Sequence, residues 1–143
     1  MGLDLGQRRV GVAISDPLGS FAMPHATLEI PRGGEFPLRD LLEMVENSGA
    51  EGIVVGLPMR LDGTLGPEAE AAERFAADLR TKISLEVVMW DERLSSVEAE
   101  RLLEEAGVRS KRRRAITDRV AAAVVLQSFL DSRGDSTEDL SRK

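Results

Sequence analysis

The sequence predicts an α/β fold: a mixed sheet that opens with an antiparallel hairpin and continues with parallel strands, flanked by helices. Three observations carry this. Residues 1–5 and 10–15 are strand-like runs joined by the short polar stretch "GQRR", which marks a hairpin. Residues 52–56, "GIVVG", form a wholly apolar run of the kind found in strands covered on both faces. The later strand-like runs alternate with segments of helical periodicity, and strand–helix–strand units make right-handed parallel crossovers.

Each element has its own local reason. In residues 10–15, Val10, Val12 and Ile14 alternate with Gly11, Ala13 and Ser15, giving one bulky and one small face. "SDPLGS" is a turn, and "ATLEI" is a third strand. Pro37 suits a first helical position. Leu38, Leu41, Leu42 and Val45 follow it as one apolar stripe. Pro67 opens a second helix with the stripe Ala72, Phe75, Ala76 and Leu79, and "SLEVVMW" is the fifth strand. Ser95 and Glu98 form a capping box for a helix striped by Ala99, Leu102, Leu103 and Ala106 and ended by Gly107. Thr117 reads as the N-cap of a last helix over residues 118–130, whose centre, "VAAAVVL", is apolar nearly all round. One domain over residues 1–130 is expected, with a polar, disordered tail over 131–143.

Composition narrows the chemistry. The 143 residues include no cysteine and one histidine, which excludes disulfides and thiolate metal sites. No apolar run reaches membrane-spanning length and no signal-peptide pattern is present, so a cytoplasmic protein is expected. The net charge of −6 argues against nucleic acid as a partner, but the distribution matters more. "RSKRRR" gathers Arg109, Lys111, Arg112, Arg113 and Arg114 in one cluster.

Three acidic positions raise a question. Asp4 lies between Leu3 and Leu5, which face one side of a strand while Gly2 and Asp4 face the other. Its carboxylate has either a turn's backbone N–H groups or a bound cation as partner, because an unpaired buried charge is costly. Asp91 and Glu92, in "WDERLSS", end the last strand. At most one of them shares Asp4's face, and a plain polar strand end paired with Arg93 is the alternative. Asp118 either favours a helix dipole from the first turn or, on the stripe of Ala121, Ala122 and Val125, is pressed toward the strand ends. Three carboxylates at one sheet edge repel unless a cation neutralises them. All-oxygen ligation points to Mg²⁺ or Mn²⁺, and such a cage suits phosphodiester hydrolysis.

"GLDLGQRRVGVAISDPLG", "IVVGLPMRLDGTLGPEA", "DERLSS" and "TDRVAAAVVLQSFL" together resemble the YqgF/RuvX family. Its members are RNase H-like nucleases related to Holliday junction resolvases. The resemblance covers residues 2–130. It implies a five-stranded mixed sheet in RNase H order and an acidic site at Asp4, Glu92 and Asp118. It also implies a metal-dependent endonuclease, a hydrolase of ester bonds, that acts on structured RNA and processes the 5′ end of pre-16S rRNA in ribosome biogenesis. Members carry several residues before the motif at Gly2, so a short first strand is expected. Where RNase H-like nucleases often place a fourth carboxylate, one turn after Asp118, this chain has Ala121.

Two further stretches bear on substrate. Gly56, Pro58, Asp62 and Gly63 shape a loop that is either a plain turn or a phosphate-holding wall beside a helix start. The basic cluster, extended by Arg8, Arg9 and Arg93, is either a solvated charge run or a contact for a phosphate backbone. With 3% aromatic residues, base stacking has little to work with. Other readings remain in view. A Holliday junction resolvase acting on branched DNA calls for a two-fold dimer; for the chain itself a monomer or homodimer is expected. A non-catalytic nucleic-acid-binding module keeps the fold without the chemistry. A phosphotransferase of the actin-like group requires a second phosphate loop and a second domain, and this chain shows neither.

Overall fold

The computed structural model describes residues 1–6, 8–58, 62–91, 101, 103–107 and 110–141, with the side chains of 110–115 and 134–141 set aside. Among these, five strands form one sheet: β1 (Gly2–Leu5), β2 (Arg9–Ser15), β3 (Ala22–Glu29), β4 (Gly52–Leu57) and β5 (Glu86–Asp91). Their order is β3-β2-β1-β4-β5. β1–β2 and β2–β3 are antiparallel, while β1–β4 and β4–β5 are parallel. The mixed sheet read from the sequence is therefore present, with the hairpin at its centre and β1 short.

Alternation along the strands builds two cores. On one face Leu3, Val10, Val12, Ile53, Val55 and Val87 pack against Leu41 of α1 (Leu38–Ser48) and Ala76 and Leu79 of α2 (Pro67–Lys82). On the other, Ala13 and Val54 meet Ala122, Val125 and Leu126 of α3 (Ser110–Ser141). Pro67 is the first residue of α2, as its fixed φ favours. Pro37 instead stands just outside α1 as its N-cap residue, and Gly49 closes that helix at φ 68°. Gly107 likewise has φ 74° and donates to the Glu104 carbonyl at 3.0 Å. Leu103 is buried as expected, whereas Ala106 is exposed. Ser95, Glu98, Ala99 and Leu102 lie outside the described residues.

The last helix departs most from expectation. It begins at Ser110, not beside Thr117, and continues to Ser141, through most of the segment read as a tail. Thr117 is therefore no N-cap. Lys and Arg are good helix formers, and the run from 110 to 115 continues the helix past a Thr–Asp pair that imitates a start. β3 is an edge strand whose register with β2 shifts between Val12 and Ala13, where Pro24 opposes Ala13. Its first residue is tied to α3: Gln127 Oε1 accepts from the Ala22 N–H at 2.8 Å, and Gln127 Nε2 donates to the Ser20 carbonyl at 3.0 Å.

Candidate active site

The face beneath α3 is bare around Asp4. β1 presents Gly2 and Asp4 on it, and β2 presents Gly11 and Ala13, with Asp4 directly opposite Gly11. Bare backbone lets the helix sit on the sheet itself. A Cβ on Gly2 would lie 2.8 Å from Leu126 Cβ and 2.9 Å from the Ala122 carbonyl. One on Gly11 would overlap the Asp118 carbonyl oxygen. Asp4, 8% exposed, is the buried charged residue among the described ones. It is the cross-strand neighbour of the very residue on which the Asp118 backbone rests.

Asp118 lies beyond the second turn of α3, so a first-turn dipole does not account for it. Its Oδ2 accepts from Arg9 Nε at 2.8 Å, with the two side chains 22% and 34% exposed respectively. Arg9, expected to hold phosphate, is thus paired with a candidate ligand. Its position was legible: alternation puts Arg9 on the face of Gly11 and Ala13.

The third carboxylate, Glu92, and Arg93 lie outside the described residues. Asp91 does not take Glu92's place. Val87 and Met89 belong to the core under α1 and α2. Trp90, by contrast, donates Nε1–H to Ser128 Oγ at 3.0 Å and packs edge-on to Phe129. Asp91 therefore follows Met89's parity, away from Asp4. Among the described residues no group of three acidic or histidine side chains could hold a metal, and the position of Ala121 is fully buried. Asp4 and Asp118, two oxygen donors on one glycine-bared face, fit a hard divalent cation in donor type.

The loop after β4 is locally braced. Asp62 Oδ1 accepts from the Thr64 N–H at 2.9 Å and the Thr64 hydroxyl at 2.7 Å. The hydroxyl bond and then the backbone bond hold its carboxyl below the ordinary value. Gly63 takes φ 86°, Gly56 is buried, and Pro58 follows β4. Asp62 is thus the acceptor of a turn over residues 62–64, and residues 59–61 of this loop lie outside the described residues. Asp16 plays the same part in the β2–β3 turn. It accepts from Phe21 and Ser20 N–H groups, and the Phe21 bond leads in lowering its carboxyl.

Of the basic residues, Arg8 is exposed, Arg109 lies outside the described residues, and Lys111, Arg112, Arg113 and Arg114 occupy the opening of α3. Their backbone continues the helix that carries Asp118. Sequence reasoning passed over Arg119, whose Nε is buried without a hydrogen-bond partner among the described residues. Its place beside Asp118 was the available signal. His25 is exposed on β3 and joins no metal-holding group among the described residues. No helix among the described residues is long and apolar enough to cross a membrane.

A family profile described as RuvX, Holliday junction resolvase, matches residues 1–132. The chain belongs to the RuvX family. This is a family of RNase H-like nucleases, and the strand order above is its fold. A Geobacillus kaustophilus protein named "Putative pre-16S rRNA nuclease" is 52% identical over 134 residues, covering 93% of this chain and 97% of the relative. Proteins of the same name from Geobacillus thermodenitrificans and Bacillus thuringiensis are 50% and 48% identical, each over 93% of this chain and covering 97% and 98% of the relative. The RuvX fold places Asp4 and Asp118 on one face and leaves Asp91 on the other.

Proposed function

We propose that this RuvX-family chain is a divalent-metal-dependent endonuclease that hydrolyses phosphodiester bonds in structured RNA, processing the 5′ end of pre-16S rRNA. The observation that carries the reading is a buried carboxylate, Asp4, set opposite a glycine that exists to seat the backbone of a second carboxylate. A core that wanted only packing would place an apolar side chain there.

Asp4, Glu92 and Asp118 are the residues that would hold Mg²⁺ or Mn²⁺. Glu92 lies outside the described residues and is included because "DERLSS" resembles the family's motif. Such an ion supplies a water of lowered pKa and neutralises charge on the leaving oxygen. Asp4 contributes a fixed anchor in the central strand. Asp118 contributes a carboxylate that is paired with Arg9 in this structure. Helical spacing puts positions 114 and 111 on Asp118's stripe, one and two turns toward the helix start respectively. Cations at those positions support a phosphate backbone running past the acids. RNA as the substrate is supported by the names of the relatives.

The test uses purified protein with a pre-16S rRNA fragment and with a synthetic four-way DNA junction, each in Mn²⁺, Mg²⁺ and EDTA. Cleavage of the RNA is expected with metal and none with EDTA. Asp4→Asn is expected to lower the rate by more than about a hundredfold, beyond the loss of an outer-shell partner, with unchanged circular dichroism. Undiminished cleavage by Asp4→Asn sinks the acid site. Cleavage of the junction alone assigns branched DNA, as the family description suggests.

A further inference from the structure

The Arg9–Asp118 pair joins residues 109 positions apart, whereas the other ion pairs among the described residues lie four apart on single helices. Three features set it apart chemically. It is a one-point contact, Nε to Oδ2, and neither the Arg9 Nη groups nor Asp118 Oδ1 makes another hydrogen bond among the described residues. Among the described residues, half of the guanidinium fork and one carboxylate oxygen are therefore uncommitted. Arg9 also shares Asp4's side of the sheet. Gly6 N–H donates to the Arg9 carbonyl at 2.8 Å, so Arg9 lies across from Gly6, two residues along from Asp4. Finally, the Asp118 backbone is seated on Gly11, so Asp118 can respond to a cation only by turning its side chain.

A divalent ion at Asp4 and Asp118 would meet a guanidinium already there. The guanidinium cannot relieve that repulsion by losing its proton, because arginine keeps its charge. The remaining relief is an anion for the arginine to move onto, and the polyanionic substrate brings one. We propose that Arg9 is a partner-switching residue: it is the counter-ion of Asp118 until a divalent ion takes that carboxylate, and then passes to a substrate phosphate. This rests on the metal-binding reading of Asp4 and Asp118. Metal and nucleic acid then bind cooperatively, each tightening the other by the same factor, as linkage requires. In the free protein Arg9 weakens metal binding; in the complex it contributes a phosphate contact.

The probes are Mn²⁺ and a fluorescent hairpin RNA with 2′-O-methyl sugars, shown intact on a gel after each titration. Calorimetry gives the Mn²⁺ affinity of the free protein, and anisotropy gives RNA affinity with Mn²⁺ and with EDTA. In the natural protein Mn²⁺ is expected to tighten RNA binding by about fivefold or more, and RNA to tighten Mn²⁺ equally. Arg9→Gln is expected to bind Mn²⁺ about five- to tenfold more tightly without RNA, and its coupling factor to fall toward one. Arg9→Lys, which retains a cation, is expected to keep Mn²⁺ affinity within about twofold of the natural protein. Absence of coupling in the natural protein overturns the proposal without recourse to a variant. So does an Mn²⁺ affinity in folded Arg9→Gln that is unchanged or weaker. Asp118→Asn separates the two readings. If it abolishes Mn²⁺ binding while Arg9→Gln changes nothing, only the switching role falls; if no protein binds Mn²⁺, the metal site falls too.

Discussion

At Gly11 a methyl group would collide with the Asp118 carbonyl oxygen and crowd the Arg119 amide nitrogen. Both are main-chain atoms of α3, which cannot step aside like a flexible side-chain tip. Gly11→Ala must therefore lift α3 from β2. It is expected to destabilise the fold by about 1–3 kcal/mol, the range for overpacked sites, as a lowered urea midpoint. Gly52→Ala is the control. Its Cβ would meet the Glu86 carbonyl oxygen at 3.5 Å, an ordinary contact, and a shift within about 0.5 kcal/mol is expected. Asp4 and Gly11 were legible because strand parity is a property of adjacent residues. The Arg9–Asp118 pair was not: both residues were singled out, but nothing local tells an arginine that its partner is a helix 109 positions away.

Among the elements, α3 shows how a cap signal can mislead. Thr117 followed by Asp118 has the composition of a helix start, yet the helix begins at Ser110. Thr117→Ala separates the two situations. Loss of a true N-cap costs about 0.5–2 kcal/mol. Inside a helix the change removes a β-branched residue and gains up to about 0.7 kcal/mol of propensity. The expected outcome is an unchanged or slightly raised denaturation midpoint. The buried stripe of Ala121, Ala122 and Val125 was read correctly, because periodicity depends on spacing and not on where a helix begins. The same distinction explains why the hairpin, α1, α2 and both parallel strands were legible as elements while their ends moved by a few residues.

For the whole molecule, the sheet separates labour. α1 and α2 cover one face with aliphatic packing, leaving the other for α3, the acids and the basic opening of that helix. The net charge of −6 thus conceals a local reversal of sign, and binding should follow the local charge. Replacing Lys111, Arg112, Arg113 and Arg114 by Gln is expected to flatten the salt dependence of RNA affinity. At about 0.7–0.9 log units per neutralised phosphate, four lost contacts lower the log–log slope by about three, measurable by anisotropy between low and physiological salt. Sheet order was legible only through resemblance to a known family, because pairing of non-adjacent strands leaves no periodic trace in the chain.

One outer margin of this sheet is β3, and it is broken where Pro24 stands at the register shift beside Ala13. A rung without an amide hydrogen, in a ribbon given extra twist, makes a poor splint for another chain. Copies brought together at high concentration meet a ladder that does not continue, so this flank is guarded against the stacking that turns exposed margins into fibres.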